Sequence, residues 1–141
     1  MFPHFFKDAC CLFLFFTIVF LTISCGKKSD EAEVYPLEYE VCDETELPDE
    51  LRIMIEERKE EEFQIIYENS ACRYVAAGYG KQKRDEYVVA VKDFYGSGKE
   101  IVLDTILIHK SKGEKGRVGR PGLCPYIVIR TSHMEGQIAF E

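Results

Sequence analysis

The feature that most constrains this chain lies at its start. Residues Ala9–Ile23 form a run of 15 in which Thr17 and Thr22 are the only polar side chains, and Phe13, Phe15, Phe16 and Phe20 add bulk. A spanning helix needs about 20 apolar residues, whereas the core of a secretory signal takes roughly 7–15. The run therefore fits an export signal covering residues 1–24, and everything after it is expected to work outside the cytoplasm.

The run stops at Ser24-Cys25-Gly26, followed by Lys27 and Lys28. A small residue and then Cys, directly after an apolar core, has the form of a bacterial lipobox. In that chemistry the Cys25 sulfur is acylated, with palmitate among the fatty acids, and Cys25 becomes the first mature residue. Thr22 stands where such motifs usually carry Leu, with Leu21 one position earlier. An uncleaved signal anchor and ordinary signal cleavage are the competing readings. Two acyl chains hold a protein stably where one gives marginal binding. The expected location is the extracytoplasmic face of the cell membrane, lipid-anchored.

Three of the six cysteines remain beyond Cys25: Cys42, Cys72 and Cys124. They lack Cys-x-x-Cys or zinc-ligand spacing. An odd number permits one internal bridge at most, with three pairings open. The alternative is three small, buried, reduced side chains.

Charge is unevenly spread. The 141 residues carry 18 Lys+Arg and 25 Asp+Glu, a net −7. That balance argues against nucleic acid as a partner, since phosphate contacts need a basic footprint. Residues 26–68 hold 16 acids and five bases, net −11, and residues 69–141 hold eight acids and 12 bases, net +4. Residues 25–46, with the lipidated Cys and Asp30, Glu31, Glu33, Glu38, Glu40, Asp43, Glu44 and Glu46, read as an acidic tether.

The folded domain is expected over residues 47–141. Leu47-Pro48-Asp49-Glu50 opens a helix: Pro suits a helix start and the acids complement its positive end. Leu47, Leu51, Met54 and Ile55 fall on one stripe, so the spacing predicts a helix over Pro48–Glu62. Strands follow at Phe63–Tyr67, Arg73–Ala77, Tyr87–Tyr95, Ile101–His109, Tyr126–Arg130 and Gln137–Phe140, with Gly78-Tyr79-Gly80 ending the second. Ile101–His109 is apolar on both faces, which predicts a central strand covered on each side. The fold class is α+β: one N-terminal helix packed on an antiparallel sheet of about six short strands.

Gly96-Ser97-Gly98-Lys99 lacks the spacing of a phosphate loop, and Glu100 replaces the hydroxyl that would hold magnesium. It reads as a hairpin turn. His109 and His133 lie on separate segments without metal-ligand spacing, and no Ser occupies a nucleophile elbow. Asp93 and Asp104 can meet across a hairpin, but no cleft-forming pattern accompanies them. The expectation is a non-enzymatic chain with no metal, no cofactor and no small-molecule substrate. Lys110–Gly122 is locally unusual: Lys110, Lys112, Lys115, Arg117 and Arg120 face one acid, Glu114, and glycine recurs at 113, 116, 119 and 122. Such a loop can grip an acidic surface, or simply be a solvated connection. Lys112, Lys115, Arg117 and Arg120, with Tyr79, are the candidate contacts for a protein partner.

The order of segments resembles a known family. Leu47-Pro48 opens a charged helix; Tyr74-Val75-Ala76-Ala77-Gly78-Tyr79-Gly80 and Tyr87-Val88-Val89-Ala90-Val91 follow. Then come Asp104-Thr105-Ile106-Leu107-Ile108, Lys112-Gly113-Glu114 and Pro125-Tyr126-Ile127-Val128-Ile129-Arg130-Thr131. Together these are similar to the small exported proteins that carry the C-terminal domain of the protease complex subunit PrcB, across the whole expected domain. The resemblance implies a non-catalytic accessory protein that binds and stabilises an exported protease or its complex. A protease inhibitor is the second interaction reading; an envelope ligand-binding lipoprotein or enzyme is the alternative of another class.

Overall fold

The computed structural model describes residues 32–110 and 118–141. Cys25 and three of the basic-loop candidates, Lys112, Lys115 and Arg117, lie outside the described residues. The elements are β1 (Val34–Pro36), β2 (Glu40–Val41), a 3-10 turn (Glu44–Glu46), α1 (Asp49–Arg58), β3 (Glu62–Glu68), β4 (Arg73–Tyr79), β5 (Tyr87–Ser97), β6 (Glu100–His109), β7 (Tyr126–Thr131) and β8 (Gln137–Phe140). The class is α+β, but among the described residues the strands number eight in two sheets rather than about six in one. The first sheet runs β1-β5-β6-β8 and the second β2-β7-β4-β3. All neighbours are antiparallel except β6 and β8.

Side-chain alternation builds three layers. In β4, Tyr74 and Ala76 join Leu51 and Ile55 of α1 in one core; Val75 and Ala77 join Val89, Leu103 and Phe94 of the first sheet in another. β7 divides likewise, with Tyr126 and Val128 on the helix side and Ile127 and Ile129 between the sheets. The helix thus covers one face of the second sheet, as the apolar stripe predicts, and the first sheet covers the other. Leu51 and Ile55 are 0% and 1% exposed, and burying such side chains contributes about 1.5–3 kcal/mol each.

The expected doubly covered strand, Ile101–His109, is central in its sheet, but only part of it is covered on both faces. Ile101, Val102 and Leu103 are buried, whereas Ile106 is 44% exposed. The helix lies on the second sheet, so β4 and β7 are the strands enclosed on both sides. α1 is also shorter than expected. Glu60 leaves the helix path and accepts the Lys81 N–H at 3.0 Å, and the chain enters β3 at Glu62.

Part of the expected tether belongs to the fold. Leu37, Tyr39 and Val41 pack into the inter-sheet core while Glu38 and Glu40 face solvent. This alternation carries the chain from the first sheet, where Tyr35 pairs with Gly96, to the second, where Glu40 pairs with Arg130. The Leu37 N–H donates to the Phe94 carbonyl at 3.1 Å, and the Tyr39 ring meets Phe94 edge-on at 5.7 Å.

Gly78 lies inside β4 rather than beyond it. An added Cβ there would sit 2.2 Å from the Phe63 ring, so the ring of the cross-strand neighbour occupies the space a side chain would take. The β5–β6 connection is a tight turn, as expected: Ser97 pairs with Glu100, and Gly98 adopts φ +62°, a region favouring glycine.

The strands define two ends. At one lie the Gly98 turn, the Met134–Gly136 connection and the Asn69 turn; Arg73 Nη1 reaches the Gly136 carbonyl at 3.4 Å there. At the other lie the connection from β4 to β5 and the described edges of the connection from β6 to β7.

Candidate interaction surface

The second of these ends collects positive charge from distant parts of the sequence. The β4–β5 connection brings Lys81, Lys83 and Arg84, all exposed. The β6–β7 connection brings exposed Lys110 and Arg120 at its two described edges. Both edges are tied to the start of β5: the Lys110 N–H donates to the Glu86 carbonyl at 2.6 Å, and the Gly119 N–H to the Val89 carbonyl at 2.7 Å. Gln82 joins the two connections, its N–H donating to the Leu123 carbonyl at 2.7 Å and its side-chain amide to the Tyr79 carbonyl at 2.9 Å. Five cations therefore converge without a shared local motif.

Acids border this patch on each side. Asp85 and Glu86 close the β4–β5 connection, and Glu86 lies 3.8 Å from Arg84 and 3.4 Å from His109 Nε2. Arg120 pairs with Glu44 of the 3-10 turn. Glu60, Glu61 and Glu62 flank Lys81 where α1 gives way to β3. Exposed pairs of this kind are worth at most about 1 kcal/mol, so the cations can exchange these partners for acidic groups on another molecule.

Beside the patch, residues 41–44 and 118–121 leave a cleft of about 260 Å³ floored by Tyr126 and Val128. Two short pieces share the edge of β7 there: Glu40 and Val41 pair with Arg130 and Ile129, and Arg120 pairs with Tyr126. Gly119 is required at the join, since an added Cβ would meet the Tyr126 carbonyl oxygen at 2.1 Å.

Of the sequence candidates, Arg120 stands in the patch. Tyr79 is half-buried and its hydroxyl is used inside the domain, 2.7 Å from the Thr105 carbonyl oxygen and 3.1 Å from Thr105 Oγ1. Cys42, Cys72 and Cys124 are unpaired and partly buried. Burial pushes the Cys42 thiol up to about 11, outweighing the opposing charge of Arg130. Asp93 and Asp104 do meet across the β5–β6 pair, at a bulge, where Asp104 accepts from Lys92 Nζ at 2.6 Å. That bond raises the Lys92 pKa.

Lys81, Lys83 and Arg84 escape a reading that looks for local runs. Nothing links them to Lys110–Gly122 until the topology sets the end of β4 beside the end of β6. No family model, no curated protein and no solved structure matches the chain.

Proposed function

We propose that this is a membrane-anchored, extracytoplasmic, non-enzymatic accessory protein. Its small α+β domain binds and stabilises a protein partner, and the resemblance noted from the sequence favours an exported protease or its complex. The observation that carries this reading is the convergence of Lys81, Lys83, Arg84, Lys110 and Arg120 at one end of a net-acidic molecule. A cationic patch on an acidic body selects for orientation and for acidic partner surfaces, because complementary charge steers encounter and like charge rejects the wrong face. The signal-like run ending at Cys25 supplies the location.

The test is capture of partners from the envelope fraction of the native cells with the tagged full chain, read by mass spectrometry. The control carries Lys81, Lys83, Arg84, Lys110 and Arg120 changed to Ser. An exported protease enriched by the wild type and lost with the control supports the reading. Slowed turnover of that protease when the protein is present, without inhibition of its activity, separates stabilisation from inhibition. Equal capture by both forms removes the patch from the interface.

A further inference from the structure

The chain enters the domain at the end opposite the basic patch. Ala32 is the first described residue, and its Cβ would lie 3.5 Å from a Cβ added at Gly98, the turn between β5 and β6. Val34 then pairs with Ser97. The same hairpin ends with Tyr87 opposite His109, and Lys110 follows directly. A ten-residue strand such as β6 spans about 33 Å. The point of attachment and the patch are thus separated by the full length of the hairpin.

Cys25 precedes Ala32 by seven residues. Fully extended, that stretch reaches about 25 Å, less than the hairpin is long. A lipid at Cys25 therefore keeps the Gly98 end within about 25 Å of the bilayer, a limit that does not apply to the Lys110 end. The surface at that end suits an interface. Val34 and Tyr35 on the edge strand β1 are 63% and 46% exposed, and Tyr is favoured where an apolar body meets a wet boundary. Glu33 precedes them, and Ser97, the partner of Val34, pairs on its other side with Glu100, so these neighbours offer no attraction to anionic headgroups.

We infer that the end formed by β1 and the Gly98 turn is the bilayer-facing surface, docked through Val34 and Tyr35, and that the basic patch is thereby held outward for its partner. The inference rests on lipidation of Cys25 as proposed above. Its occupant is a lipid surface, and the contact is apolar and aromatic rather than electrostatic.

The experiment uses the full chain, produced and processed in a lipoprotein-competent bacterial host and placed in phosphatidylcholine nanodiscs containing a gadolinium-chelated headgroup lipid. Backbone amide signals are compared with those in nanodiscs lacking gadolinium, and intact mass reports acylation at Cys25. Loss of the signals of Val34, Tyr35, Gly98 and Lys99, with those of Tyr87, Lys110 and Arg120 retained, supports the inference, as does persistence of that pattern at high salt. Loss at Tyr87, Lys110 and Arg120 instead, or equal loss at both ends, overturns the orientation while leaving the anchor intact. A chain whose mass shows no acyl group overturns the anchor, and the inference with it.

Discussion

The Tyr79 hydroxyl donates to the Thr105 carbonyl at 2.7 Å, from the last residue of β4 in one sheet to the middle of β6 in the other. It is a direct polar tie between the two sheets beside their shared apolar core. Tyr79→Phe keeps the ring and leaves the carbonyl without this donor. The expected cost is about 1 kcal/mol, read as a lower urea midpoint with an unchanged slope. Partner capture should stay at the wild-type level, because the hydroxyl faces inward. A normal midpoint with lost capture would return Tyr79 to the binding surface.

Phe63 and Gly78 form a matched pair. In Gly78→Ala the new methyl falls on a ring that is itself 6% exposed and packed among Tyr126, Ile65 and α1. Overpacking of this kind costs about 1–3 kcal/mol. Adding Phe63→Leu should recover part of the loss, so the double variant should be more stable than the sum of the single effects allows. Denaturant curves for the four proteins measure the coupling.

Cys42 gives a pH signature. Its folded pKa, about 11, lies above the ordinary 9.0 because burial disfavours the thiolate. A raised pKa means that the contribution to stability is complete below pH 9 and is lost as pH rises toward 11. The wild type should therefore lose more stability between about pH 8 and about pH 10.5 than Cys42→Ala does. Alkylation of Cys42 in the native state should be slow near neutral pH, since the thiolate is the nucleophile.

The basic patch should matter to binding and not to folding. Arg120→Gln removes the pair with Glu44, in which both side chains are well exposed. The expected change in stability is within about 0.5 kcal/mol. Charge reversal at Lys81, Lys83 and Arg84 should leave the melting temperature nearly unmoved, while partner association slows and loses its salt dependence. A large drop in melting temperature would show that these cations hold the connections together.

The elements with long apolar periods are legible in the sequence. The stripe of Leu51, Met54 and Ile55 marks α1, and alternating residues mark β3 through β8 to within a few positions. Two things are hidden there. β1 and β2 are three and two residues long, and their acids draw attention away from Leu37, Tyr39 and Val41, whose period of two is the available signal. The division into two sheets is hidden as well. Alternation says which side chains share a face, but not that β5 pairs with β6 while β4 pairs with β7. Gly78 misleads for a physical reason: its missing side chain is replaced by the Phe63 ring, so a residue that weakens isolated strands continues this one. The candidate surface is half legible, because Arg120 belongs to a visible run while Lys81, Lys83 and Arg84 join it only through topology.

The parallel partnership of β6 and β8 carries a consequence for biogenesis. Between them the chain makes an excursion through the opposite sheet as β7, and residue 141 then continues the ladder, its N–H donating to the Leu103 carbonyl at 3.1 Å and its carbonyl accepting from the Thr105 N–H at 3.2 Å. Synthesis proceeds from the N-terminus. Until residues 137–141 emerge, β6 keeps a bare edge, and the core around Ile138 and Phe140 stays open. A chain that lacks β8 therefore cannot complete the first sheet, however much of β1 to β7 has already formed.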